Sequence, residues 1–153
     1  HDVLSADEMK LKVEELIEDC DIFIAAAAVS DFKPKEIYKN KIKKNETEKH
    51  LNLKMDKNLD ILKVISEKNL NLKTVGFAAE TENLLSNAKK KLSQKKLDLI
   101  VSNDVSNKDI GFDSDENEVT LITKKEQKKI KKASKKIVSK KIVEFIASKV
   151  VND

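Results

Sequence analysis

Lys41-Ile42-Lys43-Lys44 packs three ammonium groups into four consecutive positions a short way beyond Asp31. Clustered cations can neutralise a polyphosphate and the charge that develops on it during nucleotidyl transfer. Lysines in a loop also serve simply as solvated charge. Asn58-Leu59-Asp60-Ile61-Leu62 opens a helical pattern whose free amides suit a phosphate, with capping by Asn58 or Asp60 as the plain alternative. Ala25-Ala26-Ala27-Ala28 closes an apolar run just before Val29-Ser30-Asp31. Small side chains there allow either tight strand packing or close approach of a ligand to the backbone. Asp31 itself either ends the strand or faces that ligand. Phe77 stands at the end of another apolar run, in Gly76-Phe77-Ala78-Ala79-Glu80-Thr81, and reads as a core residue or a ligand platform. Lys91 and Lys95 are spaced to share one helix face, solvated or turned to the same ligand.

These residues need elements to position them. Ser5 followed by Glu8 predicts a capping box, and the stripe Met9, Val13, Leu16, Ile17, Cys20 carries a helix to about Asp19, with Cys20 as a packed core thiol. Ile22 to Ala26 predicts a buried parallel strand. Lysine-rich residues 33 to 49 predict a mobile flap, and the alternation of Leu51, Leu53 and Met55 a half-exposed strand of a different sheet. A helix carrying Ile61, Leu62 and Ile65 follows. Thr74 to Phe77, a helix marked by Leu85, Ala88 and Leu92, and Leu99 to Ser102 complete two strand–helix–strand passages, the pattern of a parallel sheet covered by helices. Val119 to Thr123 alternates and is expected to pair with the Leu51 segment. Ile137, Val138, Ile142, Val143, Ile146 and Val150 predict a final amphipathic helix.

Composition removes several alternatives. A chain of 153 residues at 39% hydrophobic content suffices for one domain with a single core. No stretch approaches the roughly 20 apolar residues of a membrane helix, so a soluble chain without a membrane partner is expected. One cysteine rules out an internal disulfide framework and fits a reducing, cytoplasmic compartment. All 31 basic residues are lysine, so any phosphate must be held by point charges, backbone amides and neutral polar groups rather than by a guanidinium fork. The net charge of +4 is weak support for a nucleic-acid partner, and the ten lysines between Lys124 and Lys141 lack interleaved aromatic residues. His1 and His50 have no clustered partners, and Asp109, Asp113 and Asp115 lack the turn glycine of a calcium loop. With two glycines, Gly76 and Gly111, neither a Walker loop nor a Gly-x-Gly-x-x-Gly turn exists.

The alanine-rich segment, the Lys-x-Lys-Lys run, Gly76 to Thr81 and Asn103-Asp104-Val105-Ser106, in that order and spacing, resemble the synthetase half of the bifunctional flavoprotein of coenzyme A synthesis. That half is phosphopantothenate–cysteine ligase. The resemblance covers most of residues 20 to 125. It implies a three-layer, Rossmann-like α/β fold with a parallel sheet and a small antiparallel extension at 33–57 used for dimerisation. It also implies CTP and magnesium as partners of 4′-phosphopantothenate and L-cysteine. Lys41 corresponds to the residue needed to form the acyl-cytidylate. Ala25, Ala26 and Ala27 correspond to nucleotide contacts, Ala28 borders the site, and Asp31 matches the aspartate of the CTP pocket. Leu59, Asp60, Ile61 and Leu62 correspond to a nucleotide-contacting segment in which proline often stands where Leu59 does. Phe77 corresponds to a residue beside the cytosine, and Lys91 and Lys95 to basic nucleotide contacts. By the same comparison residues 1–153 form one partial ligase domain that opens in mid-fold. A glycine-rich turn and the flavin-binding decarboxylase half lie outside it, so no FMN is expected. The competing readings are a non-catalytic nucleotide-binding or dimerisation module and a lysine-rich nucleic-acid binder.

Overall fold

The computed structural model describes residues 1–38, 40–43, 50–68, 71–80, 83–104 and 114–151. The first helix, α1 (Ala6–Leu16), begins as its sequence dictates: Ser5 Oγ accepts the Glu8 N–H at 3.2 Å. The returning Glu8 carboxylate accepts the Leu4 N–H at 2.8 Å, one residue short of a closed capping box. There follow β1 (Ile22–Ala25), β2 (Phe32–Pro34), β3 (Met55–Lys57), α2 (Ile61–Ser66), β4 (Lys73–Glu80), α3 (Leu84–Gln94), β5 (Leu99–Asp104), β6 (Glu116–Ile122), β7 (Gln127–Ser134) and α4 (Lys135–Phe145). A π-helical turn, Ile146–Val150, extends α4.

Five strands form one sheet in the order β1-β4-β5-β6-β7, and β2 and β3 form a separate antiparallel pair. The first three strands of the sheet are parallel, as the strand–helix–strand passages require, and β6 and β7 extend it in the antiparallel sense. Val75, Leu99, Val101, Val119, Leu121 and Ile130 meet Val138, Ile142, Phe145 and Ile146 on one face. On the other, Ala78, Ile100 and Ile122 meet Leu62, Ala88, Leu92 and Leu97, while Ile17, Ile61 and Ile65 join α1 to α2. The result is three layers with a sheet buried between helices.

Several sequence expectations require correction. Val119 does not pair with the Leu51 segment: β6 lies inside the main sheet between β5 and β7, so it offers no edge for dimerisation. Leu51 and Leu53 fall before the strand, which is confined to Met55–Lys57 and exposed throughout. Cys20 is exposed rather than core, because α1 ends at Leu16 and lies beside β1, an edge strand with no neighbour beyond it among the described residues. The lysine-rich segment beyond Lys124 contains a strand that the sequence did not predict, β7, whose lysines are exposed around the buried Ile130. Lys129 and Lys132 pair across the strands with Glu118 at 2.6 Å and Glu116 at 3.3 Å, and lysines on an edge discourage pairing with another chain.

Gly76 sets how closely α2 approaches the sheet. A Cβ there would stand 2.6 Å from Leu62 Cδ2 and 3.0 Å from Leu97 Cδ1, and both leucines are held in the core. Gly76→Ala is expected to destabilise the domain by about 1–3 kcal/mol, the usual range for overpacking a filled interior. Chemical denaturation measures this, and an unchanged midpoint would mean that the two leucines repack freely.

Candidate functional site

In an α/β sheet ligands gather at the carboxyl ends of parallel strands. Here Ala25 pairs with Gly76, so the chain leaves β1 at the level where β4 passes to Phe77. Phe77 is 43% exposed despite lying within a strand, and Ala26, Ala27 and Ala28 are exposed as the chain turns away. The turn is held locally. The Val29 N–H donates to Ala27 O at 3.1 Å, and Ser30 Oγ both donates to Phe32 O at 2.8 Å and accepts from the Phe32 N–H at 3.3 Å.

A second segment is drawn to this turn through the β2–β3 pair. Phe32 lies opposite Lys57, and one step further the Asn58 N–H donates to Asp31 O at 2.8 Å. The Asn58 side-chain amide donates to Ser30 O, also at 2.8 Å. Two residues later Asp60 caps α2, its Oδ1 accepting the Lys63 N–H at 3.1 Å. Capping therefore belongs to Asp60, while Asn58 bridges backward to the β1 turn. Leu59 is exposed, whereas the side chains of Ile61 and Leu62 are buried, leaving only their backbone for a ligand.

Asp60 Oδ2 and Lys95 Nζ form an ion pair at 2.7 Å, tying the end of α3 to the start of α2. Burial opposes ionisation of Asp60, but the hydrogen bond from Lys95, the Lys63 amide and the two ammonium charges outweigh it. The carboxyl is held below its ordinary value. Lys91 sits one turn earlier on α3.

Asp31 is joined to Asn58 at the start of α2, Asp60 to Lys95, and Leu62 lies against Gly76, the partner of Ala25; Phe77, one residue further along β4, falls on the face of Val75, opposite that of Ala78 and Leu62. Lys41 is exposed in the irregular stretch between β2 and β3, and among the described residues no hydrogen bond or ion pair ties it to Asp31, Asp60 or Lys95. Lys44, Thr81, Val105, Ser106, Asp109, Gly111 and Asp113 lie outside the described residues. The bridge made by Asn58 was absent from the sequence reading. Its only signal was an asparagine directly after an exposed strand and before a cap.

Two concavities lie elsewhere. An apolar groove of about 340 Å³ between α1 and β1, lined by Met9, Val13, Leu16, Ile17, Cys20 and Phe23 among others, receives none of the motif segments. At the amino ends of β4 and β5, a pocket of about 180 Å³ is lined by Lys73, Asp98, Thr123, Lys124, Lys125 and Lys149. Lys73 stands 3.9 Å from Asp98 there.

A mixed α/β sheet, parallel through β1, β4 and β5 and covered by helices on both faces, is an architecture in which ligands bind beyond the carboxyl ends of the parallel strands. Residues 1–150 match the family model described as the DNA/pantothenate metabolism flavoprotein C-terminal domain, and the chain belongs to that family. It is 42% identical over 147 residues to the coenzyme A biosynthesis bifunctional protein CoaBC of Bacillus subtilis, covering 95% of this chain and 36% of that protein. The crystal structure of the C-terminal domain of a CoaBC superposes with a TM-score of 0.77 at 30% identity, covering 99% of this chain and 65% of that one. A mutant of Cab2 in complex with phosphopantothenate-cysteine shares the fold, with a TM-score of 0.67 at 19% identity over 93% of this chain and 51% of that one. No helix among the described residues is long and apolar enough to cross a membrane.

The depressed pKa of Asp60 has a definite sign. An ionised Asp60 contributes stability above the unfolded-state value, about 3.9 for an unperturbed aspartate. That contribution disappears as the pH falls through the lower folded value. Asp60→Asn keeps a capping side chain but loses the charge. Wild type and variant should differ in melting temperature near neutrality and converge in acid. Carboxyl-carbon NMR should give Asp60 a titration midpoint below that of a free aspartate; a midpoint at or above it would contradict the pairing with Lys95.

Proposed function

We propose that this domain carries the ligase step of coenzyme A synthesis, joining 4′-phosphopantothenate to L-cysteine at the expense of CTP. The observation that supports this reading most is the junction of Asp31 with Asn58 at the start of α2, where Asp60 meets Lys95, in a chain that belongs to the family. The pantothenate carboxylate would attack the α-phosphorus of CTP, forming an acyl–phosphate bond as the bond to pyrophosphate breaks. The cysteine amine then attacks the acyl carbon, an amide forms, a proton leaves the nitrogen, and CMP departs.

In that scheme the half-buried Ala25 and the exposed Ala26 and Ala27 admit the nucleotide to the backbone, Ala28 borders the acyl chain, and Phe77 offers its ring to the cytosine. The amides of residues 59–62 and the ammonium groups of Lys91 and Lys95 meet phosphate. Lys41, on the loop beyond Asp31, neutralises the charge that develops as pyrophosphate leaves. Among the described residues no three carboxylate, imidazole or thiol groups converge to hold a metal ion. Magnesium enters our reading as the counter-ion of CTP. The flap and hairpin of residues 33–57, a homodimeric state, a decarboxylase domain elsewhere in the protein and a cytoplasmic address complete the proposal.

Calorimetric titration with CTP, ATP, GTP and UTP in the presence of magnesium tests the nucleotide pocket. CTP should bind in preference to the other three, and equal affinity for all four, or none for any, would count against it. In the intact ligase, Lys41→Gln should slow acyl-cytidylate formation about a hundredfold, as expected for one lost charge-stabilising contact. The fold should be unaffected because Lys41 is exposed. Undiminished formation of the intermediate, followed by mass spectrometry, would return Lys41 to the role of a solvated loop residue.

A further inference from the structure

Asn58 makes contacts that neither capping nor core packing requires. Its backbone N–H reaches Asp31 O and its side-chain amide reaches Ser30 O, both at 2.8 Å and across a long sequence separation. The first bond continues the β2–β3 ladder by one rung beyond Phe32 and Lys57, and the second carries it into the turn that leaves β1. Meanwhile the Asn58 Oδ1 is buried without a hydrogen-bond partner among the described residues. A buried acceptor left unpaired is a cost that a residue serving stability alone would avoid. The hydrogen bond that fixes this side chain is the one its nitrogen donates to Ser30 O.

Asn58 is followed by Leu59 and by the cap of α2, and the Ser30–Asp31 carbonyls it holds belong to the turn after Ala25–Ala28. The two segments leave different strands, and among the described residues these are the hydrogen bonds that join them. We propose that Asn58 is a positioning residue for the nucleotide, fixing the Ala28–Asp31 turn against the start of α2 so that both face one ligand. The inference rests on the ligase reading above. It assigns Asn58 no contact with the reacting atoms.

Steady-state kinetics of the intact ligase separate this role from a structural one. Asn58→Ala should raise the KM for CTP about tenfold, the equivalent of one hydrogen bond lost from an organised site. Its kcat and its KM for cysteine should stay close to wild type. Asn58→Asp has the same shape but presents a carboxylate to the Ser30 carbonyl in place of a donor, so it should be impaired at least as much. Were Asn58 needed only to fill space, the aspartate would restore wild-type behaviour. Thermal melting of both variants accompanies the assay, and either one folded at the assay temperature with an unaltered KM for CTP overturns the inference. A wild-type enzyme indifferent to CTP would instead remove the ligase reading itself. CTP dependence in the wild type with unaffected variants would overturn the inference alone.

Discussion

The arrangement depends on a missing methyl group. Because Gly76 has no Cβ, Leu62 and Leu97 close over β4, and α2 rests directly on the sheet at the level where β1 ends. From that contact the rest follows in order. Asp60 caps α2, Lys95 reaches Asp60 from the end of α3, and Asn58 ties the same segment back to Ser30 and Asp31. A side chain at position 76 would displace the Leu62 and Leu97 methyl groups that now close over β4.

The electrostatic character follows from a chain with lysine as its sole strong base. A lysine ammonium is a point charge on a flexible stem, so it holds no fixed geometry unless something orients it. Lys95 is oriented by Asp60, at a distance that also keeps the carboxylate ionised. On β7 two of the lysines spread along the edge, Lys129 and Lys132, are matched against Glu118 and Glu116. Directional recognition is left to backbone amides and to neutral groups such as Asn58.

The parallel half of the fold was legible because its strands hold short continuous apolar runs separated by helical periodicity: Ile22 and Leu99 each start one, and Thr74 is the second residue of β4. β7 was hidden because Gln127–Ser134 presents one buried isoleucine among lysines, a pattern that charge counting reads as solvated surface. The partner of β6 was misassigned because alternation reveals a half-buried strand without saying which neighbour it takes. Cys20 was misplaced because apolar spacing shows which side of a helix faces inward only where the helix continues, and α1 stops at Leu16. Motif order named the segments from which the candidate site is proposed, while the choice between a core and an exposed Phe77 stayed open until the structure showed the ring exposed. The Asn58 bridge needed coordinates, since nothing in a sequence pairs residue 58 with residue 30.

Amide NMR of the chain titrated with magnesium–CTP tests the central claim most directly, because it asks where along the chain the nucleotide is felt. The largest shifts should fall together on Ala25 to Asp31, Asn58 to Leu62 and Phe77, with Lys73, Asp98 and Lys149 at the opposite ends of the strands unmoved. Shifts centred on those last three residues, or spread along the lysines of β7, would contradict a nucleotide site built around the end of β1.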